Sequence, residues 1–390
     1  MAETGLPLEG VRVVEMTHMV MGPTCGMILA QLGAEVIKVE PPAGDKTRSL
    51  GGMGTSFFPL FNRGKRSIVL DPAKVEDRET MHRLLASADV FLENFRDGQL
   101  EKQGLGAEQL REKYPQLIVA GHKGFLSGPY EHRPALDEVV QMMSGLAAMT
   151  GTKEKPQRVG SSANDIMGGM FGVISILAAL YQKRSSGSAS GANIRIGLFE
   201  NCLFLVAQHM VEYEMTGNKP RSMPEREHAW PIYDIFDTAD GNRIFIGVVT
   251  EGHWQSFCRE FGMQEFLDDP TLRTTTDRIM VRSRIIPRAA EIIKGWNIAR
   301  LSEKLDALNI CFSPINRPED LFNDPHVLRP GGLVNNFNAD GTPFRVPALP
   351  IEWNGANIGE GQKVAPLGDD TAAVRAELEQ ETGKGMRKRA

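Results

Sequence analysis

The chain has 390 residues, 41% of them hydrophobic, which exceeds one ordinary domain and supplies enough apolar material for two cores. Its net charge of −5 excludes global attraction to nucleic acid or an anionic membrane, and only the tail Lys384-Gly-Met-Arg-Lys-Arg389 is basic, read as a solvated end. Met1-Ala-Glu-Thr-Gly5 is unlike a signal peptide, no stretch is expected to span a bilayer, and neither the four cysteines nor the eight histidines show metal or pairing spacing, so a soluble, cytoplasmic protein without a structural or catalytic metal is expected.

The first third alternates strand and helix signals. Val11-Arg-Val-Val-Glu-Met16 predicts a strand, Pro23 to Leu32 a helix opened by proline and closed by Gly33, and Glu35-Val-Ile-Lys-Val-Glu40 a second strand. Ser67-Ile-Val-Leu70, a polar helix over Glu76 to Ser87, Asp89-Val-Phe-Leu92, a short helix near Glu108 to Lys113 and Leu117-Ile-Val-Ala120 continue the pattern. Repeated βα units predict an α/β fold with a mostly parallel, doubly wound sheet, whose ligands bind at the carboxyl ends of the strands. Those ends fall at Thr17-His18, Pro41-Pro42, Asp71, Asn94-Phe95-Arg96 and His122-Lys123. The first turn reads Thr17-His-Met-Val-Met-Gly22-Pro23, not Gly-x-Gly-x-x-Gly, which disfavours a dinucleotide. The cations of Asn62-Arg-Gly-Lys-Arg66, with Arg96 and Lys102, suit either a solvated basic turn or a different phosphate-bearing ligand.

Asp165 stands just ahead of a glycine-punctuated apolar run, Gly168-Gly169-Met-Phe-Gly172 to Tyr181, which predicts a buried helix with Asp165 in or near its first turn. Facing the unpaired N–H groups and the positive end of the helix dipole, its carboxylate is expected to stay ionised and able to attack an electrophile. The glycines would admit a ligand or another backbone close to the helix. The alternative is a plain helix cap, with Asn164 as competitor, and glycines that serve packing.

Beyond the loop Lys183 to Gly191 come a strand, Ile194-Arg-Ile-Gly-Leu198, a helix from Glu200, and a linker near Thr216 to Glu227. Strands at Pro231 to Phe236 and Arg243 to Val248, followed by helices around Trp254 to Phe261, Arg278 to Lys294 and Ile298 to Leu308, predict a smaller α+β domain. A Pro/Gly-rich exit runs from Pro314 to Gly332. The predicted division is 1–215 for the large domain, 228–330 for the small one, and 331–390 returning to the first.

In this order and spacing, several segments resemble the class III CoA-transferase family, which includes formyl-CoA:oxalate CoA-transferase and the acyl-CoA racemases. They are Leu8-Glu-Gly-Val-Arg-Val-Val-Glu-Met-Thr-His18, Gly22-Pro23, Leu32 to Pro41, Gly44-Asp45, Asn62 to Ile68, Glu93-Asn-Phe-Arg96, Lys123-Gly-Phe125, Gly128-Pro129, Asp137 with Gln141, Gly145, Thr150-Gly151 and Asp165 to Leu180. The resemblance implies an interlocked homodimer, each chain having a Rossmann-like large domain built from both termini and a smaller middle domain. It also implies that CoA enters as a substrate, with no cofactor held permanently, and that its thioester lies near Asp165. His18, Met19, Val20, Leu70, Asn94, Phe95, Arg96 and Lys102 match the family's CoA-contacting segments. Pro41 stands where the oxalate enzyme has a cation, so Arg48, Lys65 or Lys102 is expected to serve the phosphates instead.

The implied reaction moves CoA from an acyl-CoA donor to a carboxylic acid acceptor. Asp165 would form a mixed anhydride and then an aspartyl-CoA thioester, with N–H groups of the turn near Met19 to Met21 or of the glycines after Asp165 as oxyanion donors. The racemases instead place a His before the residue that matches Asp137; here it is Leu136, which transfers no proton, leaving only His122 or His132 as substitutes. Asp137 matches a glutamate that helps place the acid. Leu136, Phe57, Met142 and Met143 would line an apolar acceptor pocket, and Arg63, Arg133 or Arg243 would hold a distal carboxylate, which suits a short dicarboxylic acid. Intramolecular CoA transfer within a dicarboxylate, a binding protein without turnover, and a second homologous subunit remain as alternatives.

Overall fold

The computed structural model describes residues 5–187, 190–226 and 229–383; the basic tail expected to be a solvated end lies outside them. The described chain forms two compact units, one of residues up to 224 together with those from 328, the other of 225–327.

The larger unit is built on six parallel strands: β1 (Arg12–Met16), β2 (Glu35–Glu40), β3 (Arg66–Val69), β4 (Val90–Glu93), β5 (Ile118–Lys123) and β6 (Asn193–Gly197), in the order β3-β2-β1-β4-β5-β6. Strand order therefore reverses between β1 and β4. Because side chains alternate across a strand, Val13 and Val14, both with no exposed surface, serve opposite faces of the sheet. Helices α1 (Met21–Gln31), α7 (Ala163–Ser186) and α8 (Leu198–Thr216) cover the Val13 face. The Val14 face is covered by α3 (Val75–Ser87), α4 (Ala107–Lys113) and the late helix α14 (Thr371–Gly383), through Leu84, Leu110 and Val374. Three short helices, α2 (Phe57–Asn62), α5 (Asp137–Met143) and α6 (Leu146–Thr150), occupy the longer connections.

The smaller unit has an antiparallel sheet, β7 (Ile232–Asp237), β8 (Arg243–Val248) and β9 (Cys311–Pro314), packed with α9 (Glu251–Glu260), α10 (Gln264–Leu267), α11 (Thr275–Met280), α12 (Arg282–Ile293) and α13 (Ile298–Ala307) around Trp254, Phe257, Ile285 and Leu301. Strand β9 was hidden in the sequence: its four residues form an edge with no buried alternate face, and its last, Pro314, opens the stretch that reads as a Pro/Gly-rich exit. After it, β10 (Leu333–Phe337) pairs with β11 (Pro343–Pro347), and the two-residue strands β12 (Glu352–Trp353) and β13 (Ala356–Asn357) make a second hairpin, before α14 docks beside β3. There Asp370 Oδ2 accepts the Ser67 N–H and Thr371 Oγ1 that of Val69.

Helix α7 corrects the expectation that nothing is long enough to span a bilayer: its 24 residues suffice by length and composition. In this fold its glycine face is packed against α1. A methyl group at position 169 would lie 2.8 Å from the Met21 carbonyl oxygen and 2.6 Å from Thr24 Cβ, and one at 172 would lie 2.5 Å from His122 Nε2. The glycines thus serve helix packing. Alanine favours an isolated helix over glycine by roughly 1 kcal/mol, but Gly169→Ala is expected to reverse that sign and lose about 1–3 kcal/mol through overpacking. Urea unfolding measures it; a gain in stability would contradict the packing.

Candidate active site

Tight contact between α7 and α1 brings the first turn of α7 to the turn between β1 and α1. Ile166, next to Asp165, packs with Val20, Phe57 and Phe61. The turn itself is held residue by residue. Lys38 Nζ donates to the Thr17 carbonyl at 2.7 Å, Thr17 Oγ1 donates to Glu15 at 2.6 Å, and Asn94 bonds both backbone groups of His18. Met19 then adopts φ 64°, a left-handed conformation uncommon for a non-glycine residue, with its side chain exposed. Lys65 ties the start of α1 down by donating to the Pro23 carbonyl.

These lysines belong to a buried ionic cluster. Lys65 lies 2.8 Å from Glu15, and Lys38 lies 3.0 Å from Asp45 and 3.6 Å from Glu15. Burial pushes the Lys65 ammonium down to about 8. The cluster corrects the reading of the basic run. Arg63 is enclosed, its guanidinium donating to the Leu60 carbonyl and its pKa pushed down by burial to about 10. Arg66 is shared among Glu35, Asp370 and Glu377. Arg48 is bound to Glu40 and lies 3.9 Å over the Phe58 ring. The run is therefore neither a solvated turn nor a phosphate cradle: Arg48 and Lys65 are held by carboxylates, and Arg63 is not free to receive an acid. Lys102 alone of the three expected phosphate cations is exposed and unpaired among the described residues.

Lys102 lines a pocket of ≈ 450 Å³ with Leu70, Phe95, Pro41, Met16 and Met81 at the carboxyl ends of β1 to β4. His18 meets Phe95 at 5.6 Å between ring centroids, so His18, Asn94, Phe95, Leu70 and Lys102 form one neighbourhood. Arg96 turns away, into a polar depression with Lys123 and Arg195.

Asp165 is the third residue of α7, as its sequence context predicts. Asn164 does not cap the helix; it is buried and joined to α8 through Asn201 Nδ2 and the Leu198 carbonyl. The cap comes from outside. Asp137, buried at the start of α5, accepts the Asp165 N–H at 3.3 Å through Oδ1 and the Gln141 amide through Oδ2. Gln141 in turn accepts the Val159 N–H. No donor among the described residues meets the Asp165 carboxyl itself. The expectation that it stays ionised is therefore corrected: burial first, then the charges of Asp137 and Glu138, push it up to about 7. Burial also pushes Asp137 up. Around the pair, Leu136, Val139, Met142 and Met143 present exposed apolar surface. His122, one of the two histidines that racemisation would require, is sealed beneath Gly172 and pushed down by burial to about 4.

Sequence reasoning missed the supporting groups Glu15, Lys38 and Asp45. For Glu15 and Lys38 the signal was present as charges inside parallel strands that should read as apolar throughout, whereas Asp45 lies in the loop after β2.

A raised carboxyl pKa links to stability. The folded chain keeps the Asp165 proton up to about 7, while the unfolded chain releases it near the ordinary Asp value of about 4. That stabilisation is complete below about 4 and is lost as pH rises through about 7. Asp165→Asn should therefore melt above wild type at pH 8, with the gain vanishing toward pH 4 in calorimetric scans. An equal difference at both pH values would contradict the raised pKa.

The chain has counterparts in sequence and fold. Residues 8–371 match the model of CoA-transferase family III. A succinate–glutarate CoA-transferase of Agrobacterium fabrum is 32% identical over 386 residues, covering 96% of each chain. A succinyl-CoA–D-citramalate CoA-transferase of Chloroflexus aurantiacus is 31% identical, covering 91% of this chain and 92% of its own. The crystal structure of a CAIB/BAIF family protein from Brucella suis superposes with a TM-score of 0.85 at 33% identity, over 96% of this chain and all of its own. With the match running through both units and the relatives covered nearly end to end, the chain belongs to CoA-transferase family III and is a CoA-transferase.

Proposed function

We propose that this enzyme moves CoA from succinyl-CoA or a similar acyl-CoA to a short dicarboxylic acid, through covalent intermediates on Asp165. The observation that carries the reading is a carboxyl group without hydrogen-bond partners among the described residues, set in the first turn of α7 against the turn that begins α1. Ionised, Asp165 attacks the thioester carbonyl; a C–O bond forms, the C–S bond breaks, and CoA leaves as thiolate. The thiolate then attacks the aspartyl carbonyl, which forms the aspartyl-CoA thioester and releases the donor acid as carboxylate. The acceptor acid runs both steps in reverse. Splitting the exchange in this way retains the thioester energy. The N–H groups of Met21 and Gly22 at the start of α1, without partners among the described residues, supply oxyanion donors.

The CoA nucleotide is assigned to the pocket of Leu70, Phe95 and Lys102, with His18, Met19, Val20 and Asn94 along the path to Asp165; Arg96, which turns into the separate depression with Lys123 and Arg195, is left out of it. Leu136, Met142, Met143 and Phe57 offer the acid's carbon chain an apolar wall. Of the three arginines expected at its distal carboxylate, Arg133 is assigned: it is exposed over Tyr130 on the segment leading into α5, whereas Arg63 is enclosed and Arg243 belongs to the smaller unit. The names of the two relatives above, one acting with succinate and glutarate and the other with D-citramalate, support the choice of acid. Exposed apolar residues along α7 and α8, including Ile174, Tyr181, Phe204 and Met215, support a homodimer.

Intact-protein mass spectrometry after mixing with succinyl-CoA and quenching with hydroxylamine tests the reaction. An adduct should map to Asp165 and vanish in Asp165→Ala, which should still bind CoA. An unmodified Asp165 with every acyl donor tried, together with α-proton exchange of a 2-methylacyl-CoA in deuterated water, would instead favour racemisation. For the nucleotide site, Lys102→Ala should raise KM for acyl-CoA about tenfold, equivalent to about 1.4 kcal/mol, with kcat little changed. An unchanged KM would remove Lys102 from the site.

A further inference from the structure

Groups of both signs surround the first turn of α7. Helix α5 brings Asp137 and Glu138, the latter half exposed and paired with Arg158. Helix α8 brings Glu200, whose Oε1 accepts the Leu126 N–H, and Cys202, which shares a hydrogen bond with Ser144. Strand β5 brings the buried His122, and α1 contributes Met21 and Thr24, which carry no charge. The cation in this set, Arg158, is on the surface and held by Glu138. Asp165 therefore sits in a negative field whose nearest source is the buried Asp137 carboxylate, fixed by the Asp165 N–H and the Gln141 amide.

Resting on the transfer reaction above, we propose that Asp137 is a positioning residue that favours the acylated enzyme: its carboxylate fixes the first turn of α7, and its charge destabilises ionised Asp165 but not the neutral anhydride or thioester formed there. When Asp165 attacks, its charge leaves on the CoA sulfur. When that sulfur forms the aspartyl thioester, the charge leaves on the departing acid. In both products the Asp165 side chain is neutral beside Asp137. Protonation and acylation thus remove the same charge from the same place. Whatever factor Asp137 contributes to the proton affinity of Asp165, it contributes to the acylation equilibrium as well. One pKa unit corresponds to about tenfold in the ratio of aspartyl-CoA enzyme to free enzyme. A hard-to-ionise carboxylate in this way brings an aspartyl thioester closer in energy to the substrate thioester.

The full-length enzyme and three variants test this. Asp137→Asn keeps an oxygen for the Asp165 N–H and removes the charge; Asp137→Ser does the same with a different acceptor if the first does not fold; Asp137→Glu restores the charge. The two readouts are the apparent pKa of Asp165, from the pH dependence of the acylation rate with succinyl-CoA, and the hydroxylamine-trapped fraction at equilibrium with fixed succinyl-CoA and succinate, at a pH above the wild-type value where free Asp165 is ionised in every variant. In the uncharged variants the pKa should fall by at least one unit and the ratio of trapped to free enzyme by the same factor, about tenfold per unit. Glu should return both. A folded uncharged variant in which neither moves, or in which the pKa falls while the ratio stays, overturns the proposal and leaves Asp137 as a helix cap only. Wild-type enzyme that forms no adduct with any donor overturns the transfer reading itself, and is seen before any variant is compared.

Discussion

The close approach of α7 to α1 is the constraint on which the site depends. Side chains at 168, 169 and 172 would force the helices apart, and with them the two turns that meet at Val20 and Ile166. A helix made for isolated stability would carry alanine at those positions. Here the backbone of one helix lies against the carbonyl of the other, so the first turn of α7 inherits its position from the whole length of the contact. Packed interiors do not deform gradually, and the place of Asp165 is set by atoms one and two turns away.

Two groups of buried charge contrast within this unit. Glu15, Lys38, Lys65 and Asp45 bring both signs together, bind the Thr17 carbonyl and hold the start of α1 through the Pro23 carbonyl. Asp165 and Asp137 bring one sign only. The first arrangement compensates the desolvation of its members and fixes geometry. The second leaves a carboxyl group raised into the neutral pH range, where enzymes commonly hold groups that must gain and lose charge during turnover.

The parallel sheet and its faces were legible because β1, β2, β4 and β5 are short runs built on Val, Ile, Leu and Phe and punctuated by turn residues, even where β1 and β2 carry charges. Asp165 could be placed in the first turn of its helix from the run that follows it. What could not be read were partners set by folding at a distance. Asp137 lies 28 residues before Asp165 and takes the capping role that local sequence offers to Asp165 or Asn164. The cations at 65 and 66 look available because their partners, Glu15, Glu35 and Glu377, are far away along the chain, and Arg63 looks available because sequence does not show that folding encloses it. The apolar length of α7 resembles a membrane span for a related reason: hydropathy does not record that its glycines are occupied by another helix.

Asn94 sits where strand order reverses, between β1 and β4, the gap into which doubly wound folds ordinarily admit a ligand. Its amide donates to the His18 carbonyl at 2.7 Å and accepts the His18 N–H at 3.0 Å, bridging the two strand exits as an added backbone unit would. The crevice is thereby stitched shut at its floor. The open volume lies beyond that bridge, at the carboxyl ends of β1 to β4 among Met16, Pro41, Leu70 and Phe95. Entry between the two strands is closed by that bridge, so the approach left open is over the strand ends, where His18 borders both Phe95 and the turn that begins α1.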